Sequence, residues 1–157
     1  STGELKTTET SVVSASHQYE SAVFNSPVDQ VWAHIRNLSF HILCPNWVSS
    51  VSWSEGDSGK VGSTVHMTYT DGTQWAVNIL EISDIKRTIV YELIHADPAA
   101  HSSSYVNTIR VFKETLTNKT FLTWETDFSN DATANTVMDC KYKKIEALNA
   151  MANALNN

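Results

Sequence analysis

From Val48 to Phe128 the chain alternates apolar and polar residues in short runs broken by turn residues, and a long helical pattern follows only once, from about Ala132 to Leu155. Successive side chains on a strand point to opposite faces, so such alternation predicts strands with one apolar face. The segments "VSSVSW", "TVHMTYTDGTQWAVNILEI", "KRTIVYELI", "SSYVNTIRVFKE" and "KTFLTWETDFS" carry it. Asp71-Gly72 and "TLTN" supply hairpin turns between them. An antiparallel sheet with one face in water must cover the other. Along this chain only the C-terminal helix is long enough to do so. The fold class is therefore α+β, with about six or seven antiparallel strands gathered on one long helix.

Ahead of the sheet, "HQYESAVFN" predicts a first strand and "SPVDQVWAHIRNL" an early helix. Ser26 is placed to cap the first free amides, Pro27 suits the first helical position, and Asp29 complements the positive end of the helix dipole. Val28, Val31, Trp32, Ile35 and Leu38 recur at helical spacing. "LSFHILCPNW", broken by Pro45, predicts a small second helix or a structured turn. These two short pieces are expected to wall off the gap where the sheet fails to close over the long helix, rather than to form core. Residues 1–15, rich in Ser and Thr, are expected to be a flexible tail, leaving 16–157 as one domain.

At 157 residues the chain can bury roughly two-thirds of its unfolded surface in a single core. Its net charge of −6 and lack of a Lys/Arg cluster argue against nucleic acid and anionic lipid surfaces. No apolar run is long enough to span a bilayer and no signal-peptide pattern opens the chain, so the expectation is a cytoplasmic protein, a monomer or weak homodimer, without membrane insertion. Cys44 and Cys140 are expected to be two separate thiols. The sequons at Asn37 and Asn118 are expected to be chance matches.

The ordered set "SPVDQVWAHI", "PNWVSSVSW", "VGSTVHMTYTDG", "KRTIVYELI", "SYVNTIRVF" and "TFLTWETDF", followed by the terminal helix, resembles the START-like (SRPBCC, birch-pollen-allergen-like) superfamily, in its polyketide cyclase/dehydrase-like branch. The resemblance spans about residues 18–155. It implies a helix-grip fold: a curved antiparallel sheet wrapped around the C-terminal helix, an internal cavity between them, and two short helices closing that cavity. It says less about reaction, because one fold hosts many functions. Relatives in this branch often carry an Arg in the strand after the Gly turn and a Glu in the next. Here those positions are Val65 and Val77, which a three-residue loop at Thr70–Gly72 would set opposite each other. Losing both partners together leaves no orphan charge and makes the cavity more apolar.

Alternation places Val65, Met67 and Tyr69 on one face, as it does Trp75, Val77 and Ile79, and then Ile89, Tyr91 and Leu93. Tyr105, Asn107, Ile109 and Val111 form a further set, and Leu122, Trp124 and Phe128 another. Such residues suit either a pocket for a flat or flexible apolar ligand or a solid core. On the last helix, Val137, Lys141, Ile145, Leu148, Ala152 and Leu155 fall on one stripe. Lys141 is then an amine in apolar company, either snorkelling to a cavity mouth or, with its pKa lowered by burial, serving as a base or Schiff-base amine. The candidate ligand-binding set is Trp47, Val65, Met67, Trp75, Val77, Tyr91, Tyr105, Asn107, Trp124, Val137 and Lys141.

Other motifs carry less. "HADPAAH" holds His95, Asp97 and His101 without a metal site's regular spacing, and no metal or cofactor is expected. His41 and His66 are isolated acid/base candidates. "EGDSGKVG" lacks the spacing and the Ser/Thr of a phosphate loop. With no strong catalytic signature, the first expectation is a protein that binds a hydrophobic small molecule such as a lipid, polyketide, pigment or isoprenoid. The second is a cyclase or dehydratase-type enzyme working by acid/base chemistry in the same cavity, with Tyr91, Tyr105, Asn107, His66 and Lys141 as its pool of polar groups. A protein-interaction domain with a collapsed cavity is the third. Catalytic residues are not assigned.

Overall fold

The structure, a computed structural model, describes residues 17–54 and 59–156; the expected tail over residues 1–15 lies outside them. In chain order the elements are β1 (His17–Phe24), α1 (Val28–Ile35), α2 (Phe40–Leu43), β2 (Val48–Trp53) and β3 (Thr64–Tyr69). They continue with β4 (Gln74–Ser83), β5 (Thr88–Asp97), β6 (Tyr105–Lys113), β7 (Thr120–Phe128) and α3 (Ala134–Leu155). All seven strands lie in one sheet of order β1-β7-β6-β5-β4-β3-β2. β2 to β7 run as a meander of antiparallel neighbours, and β1 crosses to the far edge to pair with β7.

The β3–β4 hairpin explains the register at its tight end. Tyr69 donates its N–H to Thr73 O at 2.8 Å, Gly72 donates to Tyr69 O at 3.0 Å, and Gly72 has φ +91. That left-handed residue makes the three-residue loop possible and sets Val65 opposite Val77. The β4–β5 ladder slips between Ala76 and Val77 and again between Ile79 and Glu81, and β2 slips between Val48 and Ser50. Each slip adds a residue to one strand and bends it, which curves the sheet around α3.

The inward faces follow the predicted alternation: Val65, Met67, Val77, Ile79, Ile89, Tyr91, Ile109, Val111, Leu122 and Trp124 are buried in one cluster with Ala147, Leu148 and Met151 of α3. A smaller cluster joins Tyr105, Phe128 and Val137, with Trp75, Leu93 and Cys140 against it. The C-terminal half of α3 is thus packed solid against the sheet, while its N-terminal half meets a thinner cluster.

Three sequence expectations are corrected. Val31, Ile35 and Leu38 are fully buried in the main cluster, so the short helices are core as well as wall. Ser26 does not cap α1, whose N-cap is Pro27 without a side-chain bond. Instead the Ser26 hydroxyl donates to Leu155 O and its carbonyl accepts from Thr120 Oγ1 at 2.6 Å. The chain entering α1 therefore satisfies a free carbonyl at the far end of α3. Finally, the buried stripe of α3 is Val137, Lys144, Ala147, Leu148 and Met151. Ile145 is 37% exposed and Lys141 lies on the flank. The predicted stripe was rotated because Ile145 and Ala152 offered an equally periodic row, while the row that packs carries the less obvious Cys140 and Met151.

Candidate functional site

A cavity of about 870 Å³ opens between the N-terminal half of α3 and the end of the sheet formed by β3–β7. Its wall is aromatic. Phe40 stacks on Trp124 at 5.4 Å and 7°, and Trp47 tilts against both at 6.0 and 6.1 Å. From Trp47 the contacts pass to Tyr69 at 5.2 Å, then Trp75 at 5.6 Å, Tyr105 at 5.7 Å and Phe128 at 5.0 Å. Tilted and edge-on packing of this kind is what ring quadrupoles favour, and it holds the ring faces in fixed orientations. Phe40 reaches the site because α2 is pinned between β2 and α3; the other rings come from β2's approach and alternate positions on β3–β7.

The mouth is framed by Asp71 and Thr73 of the β3–β4 hairpin, Pro98–His101 after β5, and Thr133–Thr136 at the start of α3. Asp131 ties two of these segments together: it accepts from Ser103 N at 3.1 Å and from the Ser103 and Ser129 hydroxyls, and these bonds hold its carboxyl well below the usual range. Thr133 Oγ1 accepts from Thr136 N at 3.2 Å and caps α3 at the same rim.

Deeper in, Thr126 Oγ1 donates to Asn107 Oδ1 at 2.7 Å, and the Cys140 thiol lies 3.8 Å from Thr126 Oγ1. Burial raises the Tyr91, Tyr69 and Cys140 pKa values, so each is held in its neutral, protonated form. Burial likewise pushes the Cys44 thiol up to about 12. The Trp124 indole N–H is near enough to the Tyr91 oxygen to oppose that residue's shift, yet makes no hydrogen bond of ordinary geometry.

Lys144 stands apart. It is 2% exposed, lines the cavity, and its Nζ has no hydrogen-bond partner among the described residues. Its Nζ lies over the Trp124 ring, 5.7 Å from the centroid. Burial lowers its pKa to about 8, opposed by the field of Cys140 and of Glu20, Glu125 and Asp127.

Of the sequence-derived candidates, Trp47, Trp75, Tyr91, Tyr105, Asn107 and Trp124 line the cavity. Val65, Met67 and Val77 are buried in the main cluster beyond it, and Val137 packs into the smaller one. Lys141 is 43% exposed and sits 3.6 Å from Glu20 Oε2 on the α3 flank, facing β1. Sequence reasoning missed Lys144, Phe40, Tyr69 as a lining residue, and Cys140. The signal for Lys144 was present in the seven-residue recurrence Val137, Lys144, Met151, which keeps one face over two turns per step. His66 is exposed on β3, His41 lies on α2 with a buried Nδ1 that lacks a partner, and His101 is at the mouth. Among the described residues no three His, Cys, Asp or Glu side chains converge as a metal would need, and no helix is long and apolar enough to cross a membrane. Cys44 and Cys140 are free thiols.

Residues 16–154 match the family model described as polyketide cyclase / dehydrase and lipid transport. Among the curated proteins none matches the chain in sequence. Solved structures do resemble it. A protein from Nitrosospira multiformis is 23% identical with a TM-score of 0.75, over 88% of this chain and 95% of its own. Major latex-like protein 151 from Panax ginseng is 17% identical with a TM-score of 0.72, over 90% and 97%. XoxI from Bacillus cereus is 20% identical with a TM-score of 0.69, over 89% and 95%. At these identities the likeness is one of fold, and it is the helix-grip arrangement. The family match across nearly the whole domain, joined to a curved seven-stranded sheet gripping α3, makes this chain a member of the START-like (SRPBCC) superfamily, in its polyketide cyclase/dehydrase and lipid transport family.

Proposed function

We propose that the protein binds a hydrophobic small molecule bearing at least one flat ring, of the polyketide, pigment, isoprenoid or lipid kind, in the cavity beside the N-terminal half of α3. The observation that carries this reading is the unbroken run of ring contacts from Phe40 to Tyr105 around a space of about 870 Å³. Pockets of that size, mostly apolar with a few placed polar groups, bury most of a drug-sized ligand. Trp47, Trp75, Tyr91, Tyr105, Asn107 and Trp124 from the sequence-derived set, with Phe40 and Tyr69 added, form the binding wall in this reading. Native mass spectrometry of freshly purified protein tests it, with an added apolar fluorophore as a second arm. A co-purifying mass, or quenching of tryptophan emission by the fluorophore, is the expected result; a protein that carries nothing and takes up nothing excludes it.

A second reading, a cyclase or dehydratase acting by proton transfer, has one specific observation in its favour: a buried amine with its pKa lowered to about 8 in the same cavity as Tyr91 and Asn107. It requires loss of turnover, with binding kept, when that amine is removed. Two free thiols suit a reducing compartment, so the cytoplasm is our proposed location, and the protein is proposed to act there as a monomer or weak homodimer without nucleic-acid partners.

A further inference from the structure

Resting on the binding reading above, we infer that Lys144 is a cation reserved for the ligand, so that the cavity selects flat apolar molecules carrying an acidic group, such as a carboxylate, phenolate or sulfonate, over their uncharged analogues. The inference starts from four of the chain's other cations. Lys141 is paired with Glu20, Lys143 with Asp139, Arg36 with Asp84 and Arg87 with Asp29, all within 4 Å and all at least partly in water. Lys144 is far more buried than any of these cations, and among the described residues it has no carboxylate in contact and no hydrogen-bond partner. Burying an ammonium without a partner is costly, and a position that held only apolar neighbours would be better filled by an apolar side chain. The group becomes intelligible if its partner arrives with the ligand.

The surroundings specify what that partner looks like. On one side Nζ meets the Trp124 face, an attractive but incomplete substitute for a counter-ion. On the other it borders the cavity, where Phe40, Trp47 and Trp75 present ring surfaces. An acidic group set on a flat skeleton reaches Nζ while its rings lie among those side chains. Several groups act on Lys144 or share its surroundings: Asp139, Cys140 and Lys143 on α3, Glu20 on β1, Glu125 and Asp127 on β7, and Tyr91 on β5. Glu20 is engaged by Lys141 and Asp139 by Lys143. With its pKa near 8, Lys144 is mostly ammonium at neutral pH, the form that pairs with an anion; imine formation with a carbonyl needs the minor, neutral form. An anion that binds here favours the protonated amine, so its affinity falls once pH rises past the free protein's value.

The test uses two probes with one skeleton, 1-anilinonaphthalene-8-sulfonate and its uncharged parent N-phenyl-1-naphthylamine, titrated into the whole chain and followed by tryptophan quenching. The sulfonate is expected to bind about tenfold or more tightly than the parent at pH 7, the scale of one charge-assisted hydrogen bond. Lys144→Met should bring the affinity ratio to one or below, and Lys144→Arg should keep it above one. Between pH 8 and 10 the sulfonate should weaken while the parent holds steady; this profile needs no variant, so it decides the matter even if Lys144→Met fails to fold. Equal affinities at pH 7, or a ratio unmoved by both substitution and pH, overturn the inference and leave the binding reading standing. Failure of both probes to bind removes the binding reading and this inference together.

Discussion

At the scale of single residues, Lys144 sets function against stability. In the unfolded chain its amine titrates near 10.5; in the folded protein burial lowers the value to about 8. Below pH 8 both states hold the proton and the folded state bears the whole penalty of a buried ammonium, about 3 kcal/mol for a shift of this size. Between pH 8 and 10.5 the folded state has released the proton while the unfolded state keeps it. The lysine's contribution to stability therefore rises with pH across that window. Lys144→Met should make the protein more stable than wild type at pH 7 by up to about 3 kcal/mol, and by clearly less at pH 9.5. Urea denaturation of both proteins at the two pH values measures this; a destabilised Met variant with a pH-independent difference would show that the ammonium is well solvated. Lys141 has no such conflict, since Glu20 and water share its charge. The sequence made the two lysines look interchangeable because both lie in "KYKK" on one helix, and only the rotation of that helix separates them.

That rotation belongs to the element scale. Helical periodicity identified α3, its length and its role as the cover of the sheet, because those depend on a long apolar row being present at all. It did not fix which of two neighbouring rows faces inward, since rows starting from Val137 and passing through Lys141 or Lys144 are both helical in period. In the folded protein Ala147 and Met151 are almost fully covered against the sheet, while Ile145 stays at the edge. Leu148→Ala should cost about 2–5 kcal/mol in chemical denaturation, whereas Ile145→Ala should cost under about 1 kcal/mol because much of that side chain is already wet. A loss at Ile145 as large as that at Leu148 would return α3 to the sequence-derived rotation, in which both side chains face inward. The early helix was legible in extent but not in its ties. Ser26 has the chemistry of a cap, yet its hydroxyl serves the Leu155 carbonyl of α3, a partner 129 residues away that no local pattern contains.

At the scale of the whole molecule, the sheet was the most legible feature because alternation and turn chemistry act locally and the meander only adds neighbours. The cavity was not, because a pocket and a core are lined by the same residue types; what separates them is whether α3 closes down on the sheet. Here it does so over its C-terminal half and not over its N-terminal half, leaving Val77 fully covered and Trp75 at the cavity wall. Two substitutions that bring in the same indole should therefore part company. Val77→Trp forces an indole into a filled core and should cost at least about 1–3 kcal/mol, enough to threaten folding. Ala100→Trp, made in the loop after β5 that borders the mouth, adds the same ring where there is room and should leave the melting temperature within a few degrees of wild type. Function should move the other way. N-phenyl-1-naphthylamine at a hundred times its Kd should stabilise the wild-type protein by about 2.7 kcal/mol, since it binds only the folded state. In Ala100→Trp the indole occupies that space, so the same probe concentration should give little stabilisation. An Ala100→Trp protein that still gains as much from the probe as wild type would mean that the ligand enters and sits elsewhere than beneath the β5–β6 loop.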